Sequence, residues 1–122
     1  MKDDRLYLVH IGECIDRIQR YTSEGKESFF RDAKTQDAVL RNLQILSEST
    51  QHLSLQLKND HPEVNWQKIA GFRNILVHDY LGINLLRVWE IVERDMLELK
   101  RTISEILTSL GLAESDKNLA HN

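Results

Sequence analysis

Apolar positions along the chain recur at the spacing of a helix almost throughout. Tyr7, Ile11, Cys14, Ile18 and Tyr21 step by four and three, with Leu8 and Ile15 widening the stripe, so a first helix is predicted here. Gly25 can end it, since glycine accepts the left-handed geometry of a helix C-terminus. Residues Lys26 to Lys34 read as a connector with a short helical turn around Phe29 and Phe30. Thr35 can then cap a second helix, with the stripe Val39, Leu43, Leu46, Thr50, Leu53 and Leu57. Asn59, Asp60, His61 and Pro62 stop it, because proline bars its predecessor from helical geometry. A third segment runs from about Val64 to Tyr80, and Gly82 breaks or bends it. Asn84 can cap a last long helix whose stripe is the most regular: Leu85, Trp89, Val92, Met96, Leu99, Ile103, Ile106 and Leu110. Gly111 can terminate that helix.

The expected fold is therefore all-α: a single-domain antiparallel helical bundle of four main helices plus a possible short one, over residues 1–110. The polar tail, 111–122, has no apolar period and is expected to be mobile.

Composition narrows the class without changing that picture. With 122 residues the chain has the size of one ordinary domain. Five Gly and one Pro are too few for a many-stranded sandwich or barrel. The single Cys14 excludes an internal disulfide framework and any multi-cysteine zinc site. Acids stand at the start where a secretory signal needs a basic region, and no apolar run approaches a membrane span, so a cytoplasmic location without membrane contact is expected. A net charge of −3 excludes a uniformly basic nucleic-acid coat but leaves room for a local basic site.

One segment breaks the bundle pattern. In Trp66 to Gly82, Trp66, Ile69, Phe72, Leu76, Val77 and Tyr80 fall on one broad arc when wound at about 100° per residue. Arg73 falls inside that inward-facing arc. A guanidinium there is costly unless it is paired or opens onto a polar pocket. It can equally snorkel to the rim, or pair with Glu48 or Asp37 on the preceding helix. The opposite face carries Gly71, Asn74, Ile75 and His78, and a small residue beside an outward apolar one suggests close approach by another chain. Asn74 and His78, four apart, are neighbours that can fix an imidazole tautomer, or simply a surface histidine with a local hydrogen bond.

Arg73 and His78 stand about 140° apart on an ideal helix, so one helix does not easily aim both at one point. A distorted helix end or a twofold dimer would bring them together. Arg can hold a phosphate and stabilise charge built up on it; His can take a proton from a hydroxyl or return one to a leaving oxygen. Together they suit metal-free cleavage of RNA with the ribose 2′-OH as internal nucleophile, each acid–base group contributing about 10²–10⁴-fold.

The stretch W-x-K-I-A-G-x-R-N-x-L-V-H-x-Y, Trp66 to Tyr80, resembles the signature of the HepT-like HEPN toxins. The continuation L-G-I-N-x-x-x-V-W-E-I-V, Leu81 to Val92, is similar to the next stretch in that family, and the match is dense from about residue 35 to 110. The resemblance implies an all-α bundle that dimerises and acts as a metal-independent endoribonuclease, the toxin of a prokaryotic toxin–antitoxin pair with RNA (tRNA or mRNA) as substrate. It places Arg73 and His78 at the catalytic pair and Asn74 at the polar residue after the Arg, an orienter or RNA contact. It implies an MntA-like nucleotidyltransferase antitoxin that transfers AMP from ATP onto Tyr80, adding bulk and negative charge beside a phosphate pocket. Read without the resemblance, Tyr80 is a core aromatic with a wet hydroxyl, and Asp79 is as well a solvated charge as a contributor. Where many members have Leu-Pro after Asp95, this chain has Met96-Leu97, which bears only on the continuity of the last helix. The competing reading is a non-catalytic helical module that docks a nucleotidyltransferase.

Other residues carry no site. His10, His52, His61 and His121 lack metal-ligand spacing, Cys14 reads as a small buried hydrophobe, and Trp66 and Trp89 read as core. No Gly-rich phosphate loop is present, so no cofactor is expected. Glu90, Glu93, Arg94, Glu98, Lys100 and Arg101 form the wet face of the last helix.

Overall fold

The computed structural model describes residues 4–78 and 84–111, and among these every regular element is helical. Four longer helices, α1 (Asp4–Tyr21), α3 (Ala33–Gln51), α5 (Trp66–His78) and α7 (Met96–Ser109), form the body. Three short ones, α2 (Lys26–Arg31), α4 (Leu55–Asp60) and α6 (Leu85–Glu90), link them. Helix α3 is central, packing on α1 along one side and on α5 along another, while α7 closes on α1.

The stripes become the core. Leu8, Ile11, Cys14, Ile15 and Ile18 of α1 are all buried, as are Val39, Leu43 and Leu46 of α3 and Met96, Leu99, Ile103 and Ile106 of α7. Each such side chain stabilises the fold by about 1.5–3 kcal/mol through the water it sheds. The stripes fade at their ends: Tyr21 and Leu110 are exposed. Phe29 of α2 stacks obliquely on Trp89 of α6, ring centres 5.4 Å apart, so the expected turn at Phe29 is a packed helix. Trp89 is buried; Trp66 is half-buried, and its indole N–H donates to the His61 carbonyl at 3.1 Å.

Several helix ends differ from the sequence reading. Gly25 has φ 98° and caps the start of α2, four residues beyond the end of α1, instead of closing α1. Asp32, not Thr35, caps α3: its carboxylate accepts from the Lys34 and Thr35 amides at 3.1 and 3.4 Å and from the Thr35 hydroxyl at 2.8 Å. An exposed carboxylate is the better acceptor at a positive helix end, and those donors hold Asp32 below the usual carboxylate range. The stripe from Val39 to Leu57 belongs to two helices. Ser54 caps α4 through the Leu57 amide, while the Asp4 carboxylate accepts from the Ser54 amide at 2.8 Å and its hydroxyl at 2.6 Å. The last long helix is also divided, by a π-helical turn over Ile91–Asp95. Its wider turn buries both Ile91 and Val92, and Lys68 of α5 grips its Asp95 at 2.9 Å. Asn84 caps α6 as expected, accepting from the Arg87 amide at 3.1 Å. Gly111, at φ 72°, follows α7 and donates to the Thr108 carbonyl at 2.9 Å. Gly82 and the tail from 112 lie outside the described residues. No described helix is long and apolar enough to cross a membrane.

Candidate functional site

The candidate site is built on α5. Ile69 and Phe72 are buried against the bundle, whereas Gln67, Arg73 and Asn74 are exposed. Helix α5 rests on α3 partly through a polar contact: the buried Ser47 hydroxyl donates to the Ala70 carbonyl at 3.2 Å. A small residue such as Ser47 lets the two backbones approach and ties the turn just before Arg73 to the central helix.

The inward placement of Arg73 needs correction: its side chain is exposed, not packed within the apolar arc. It lies at the edge of that arc, about 100° beyond Phe72. Among the described residues no ion pair links Arg73 to Glu48 or Asp37, and both acids are exposed. Arg73 instead lines an open depression of about 550 Å³ with Asn74, Gly71, Ala70, Gln67 and Gln51. The structure thus brings together Arg73, Asn74 and Gly71. Gly71 is half-exposed, and a Cβ built on it would meet nothing within 4 Å. Among the described residues no packing demands glycine there.

His78 is the last residue of α5. The backbone is helical from Trp66 to His78, so Arg73 and His78 stand about 7.5 Å apart along the axis and about 140° apart around it. The His78, Ile75, Leu76 and Val77 side chains, and Asp79 and Tyr80 altogether, lie outside the described residues.

Sequence reasoning missed Gln51 and Gln67. The spacing Gln67, Gly71, Asn74, His78 steps four, three and four along one face, and that signal could have found Gln67. Gln51 joins only through the packing of α3 on α5.

Three other candidates have defined surroundings. Burial pushes the Cys14 thiol above its ordinary pKa, as a small hydrophobe in the core requires. His52 is exposed and stacks flat on Tyr7, ring centres 4.9 Å apart. His61 faces Glu63 at 3.3 Å, a contact that helps hold Glu63 below the usual carboxylate range after the stronger effect of a backbone hydrogen bond. Among the described residues no three His, Cys, Asp or Glu side chains gather as a metal site would need.

Comparison with known proteins supplies the context for this geometry. The family described as "Ribonuclease HepT-like" matches residues 11–106. A Thermococcus cleftensis protein named "Probable ribonuclease HepT" is 38% identical over 95 residues, covering 77% of this chain and 86% of its own. The "mRNA nuclease HepT" of Shewanella oneidensis is 29% identical over 120 residues, covering 79% and 90%. A Methanocaldococcus jannaschii protein named "Gamma-glutamylcyclotransferase and putative RNase" is 34% identical over 117 residues, or 95% of this chain. The chain spans about half of that relative, 53% of its length. No solved structure matches the chain. A match over most of the sequence, with the Arg73–Asn74 face of α5 open to solvent at its centre, places this chain in the HepT-like ribonuclease family.

Proposed function

We propose that the protein is a metal-independent endoribonuclease of the toxin type, with a site shared across a homodimer. The observation that carries this reading is the open depression holding Arg73 and Asn74 on a helix that ends in His78. A guanidinium unpaired among the described residues, beside an amide and with an imidazole five residues further along the helix, is a phosphate-and-proton-transfer set. The spread of about 140° between Arg73 and His78 supports a second copy completing the site.

In this mechanism His78 of one copy removes the proton from a ribose 2′-OH. The 2′-oxygen attacks the adjacent phosphorus and the bond to the 5′-oxygen breaks. Arg73 binds the equatorial oxygens as charge builds on them, and Asn74 orients the imidazole or contacts RNA. His78 of the partner subunit, protonated, returns a proton to the departing 5′-oxygen. The products are a 2′,3′-cyclic phosphate and a 5′-hydroxyl. DNA, lacking the 2′-OH, resists.

Regulation acts through Tyr80, two residues beyond His78. A nucleotidyltransferase antitoxin, MntA-like, would join the tyrosine oxygen to the α-phosphorus of ATP and release pyrophosphate. The added phosphate would repel RNA from Arg73. Both reactions call for the cytoplasm, where RNA and ATP meet.

The test is incubation of the purified chain with tRNA or mRNA in EDTA. Products with 2′,3′-cyclic phosphate ends that vanish in His78→Ala, while the dimer persists, are expected. Full cleavage by His78→Ala overturns the mechanism. Intact RNA with wild type favours the docking-module reading, which the acidic net charge of −3 also suits. Mass additions of AMP on incubation with partner and ATP should disappear in Tyr80→Phe.

A further inference from the structure

The depression beside Arg73 holds more than a phosphate needs. One of its six lining residues, Arg73, is charged; Gln51, Gln67 and Asn74 are amides, and Ala70 and Gly71 leave the floor shallow. All three amide side chains are exposed, and among the described residues none of them takes part in a hydrogen bond. An amide presents donor and acceptor side by side, which matches the edge of a nucleobase and not the all-acceptor surface of a phosphate. Gln67 stands six residues before Arg73, about 9 Å along the helix, so a group held by Arg73 and a base held by Gln67 occupy neighbouring positions.

A second observation lies at the same end of α3. His52 directly follows Gln51 and caps the helix, and its ring lies flat on Tyr7 of α1 at 4.9 Å with an interplanar angle of 12°. His52 is exposed while Tyr7 is half-buried and packed on the core. The tyrosine thus braces one face of the imidazole and leaves it presented to solvent. An aromatic ring supported on one face and open on the other is the usual platform for an unpaired base.

We propose that this end of the molecule is a nucleobase subsite. Gln51 and Gln67 read the edge of an unpaired base next to the phosphate held by Arg73, and the braced His52 stacks the following base. The subsite gives the enzyme a sequence preference on one side of its cut, within single-stranded RNA. The inference rests on the ribonuclease reading above.

The experiment compares wild type, Gln51→Ala/Gln67→Ala, His52→Ala and His52→Phe on an RNA pool with a randomised central region. Cleavage is mapped by sequencing the 2′,3′-cyclic phosphate ends. Circular dichroism and size exclusion report fold and assembly. The double amide variant should lose the nucleotide preference at one position beside the cut. His52→Ala should raise KM about tenfold, the weight of one stacked base, with kcat little changed, and His52→Phe should restore it. Unchanged maps and unchanged KM in every variant, with wild type active, overturn the subsite and leave the ribonuclease reading intact. An altered oligomeric state with an unchanged map assigns the depression to a protein contact and also overturns it. Wild type that leaves RNA whole overturns both.

Discussion

Helices α1 and α5 both pack on the central α3, yet they are built on opposite plans. In α1 the apolar stripe is buried over most of its length: Leu8, Ile11, Cys14, Ile15 and Ile18 have at most 1% exposure. In α5, Ile69 and Phe72 are buried, while the next two residues, Arg73 and Asn74, are exposed beside a half-exposed glycine. The first helix spends its sequence on the core. The second carries the exposed Arg73 and Asn74 of the proposed site. A bundle tolerates one such helix because the other three long ones have nearly continuous stripes.

That contrast predicts a separation of effects. Arg73→Ala should lower kcat for RNA cleavage by about 10²–10³-fold, the usual loss of a group that holds transition-state charge, while the melting curve barely moves. Ile15→Ala should do the reverse, costing about 2–5 kcal/mol in denaturant titration through the cavity it leaves. If Arg73→Ala destabilises as much as Ile15→Ala, the division between scaffold and site is wrong. Gly71→Ala sharpens the comparison. The new methyl meets open space, and alanine favours a helix interior by about 1 kcal/mol over glycine, so the single chain should melt higher. RNA cleavage should nonetheless slow, because the methyl stands on the floor of the depression beside Arg73. Cleavage as fast as wild type would place the substrate elsewhere.

Smaller effects mark the scaffold. The Cys14 thiol, raised by burial, stays protonated at neutral pH. Native protein should resist a thiol reagent that labels it fully in denaturant. Asp32 titrates below its ordinary value of 3.8 because it accepts hydrogen bonds at the start of α3. Its contribution to stability is full above that ordinary value and is lost as pH falls through the lower folded value. Asp32→Asn should therefore differ from wild type in melting temperature at neutral pH, and the gap should narrow on strong acidification.

Local rules found what local forces decide. The stripes of α1, α3 and α7 and the Asn84 cap needed nothing beyond neighbours in sequence. Thr35 looked like a cap because it precedes the stripe, but Asp32, three residues earlier, offers the stronger acceptor and takes the Thr35 hydroxyl as well. The break before α4 was hidden because Asp4, fifty residues away, takes the Ser54 amide and hydroxyl. The π turn was hidden because a stripe stepping by four and three reads the same through one added residue. At the site, the spacing drew attention to Arg73, Asn74 and Gly71. Winding alone placed Arg73 inside the arc, since it does not know how wide a face α3 covers. Gln51 belongs to the depression only because two helices meet.

The π turn at Ile91–Asp95 has a mechanical corollary. Its surplus residue works as a phase adjuster, letting α6 and α7 each keep apolar side chains on the bundle although they are not in register as one rod. Deleting one residue there would mend the ladder of hydrogen bonds and rotate Val88 and Trp89 by about 100° out of their seats. The flaw in the helix is what lets α6 and α7 both meet the core.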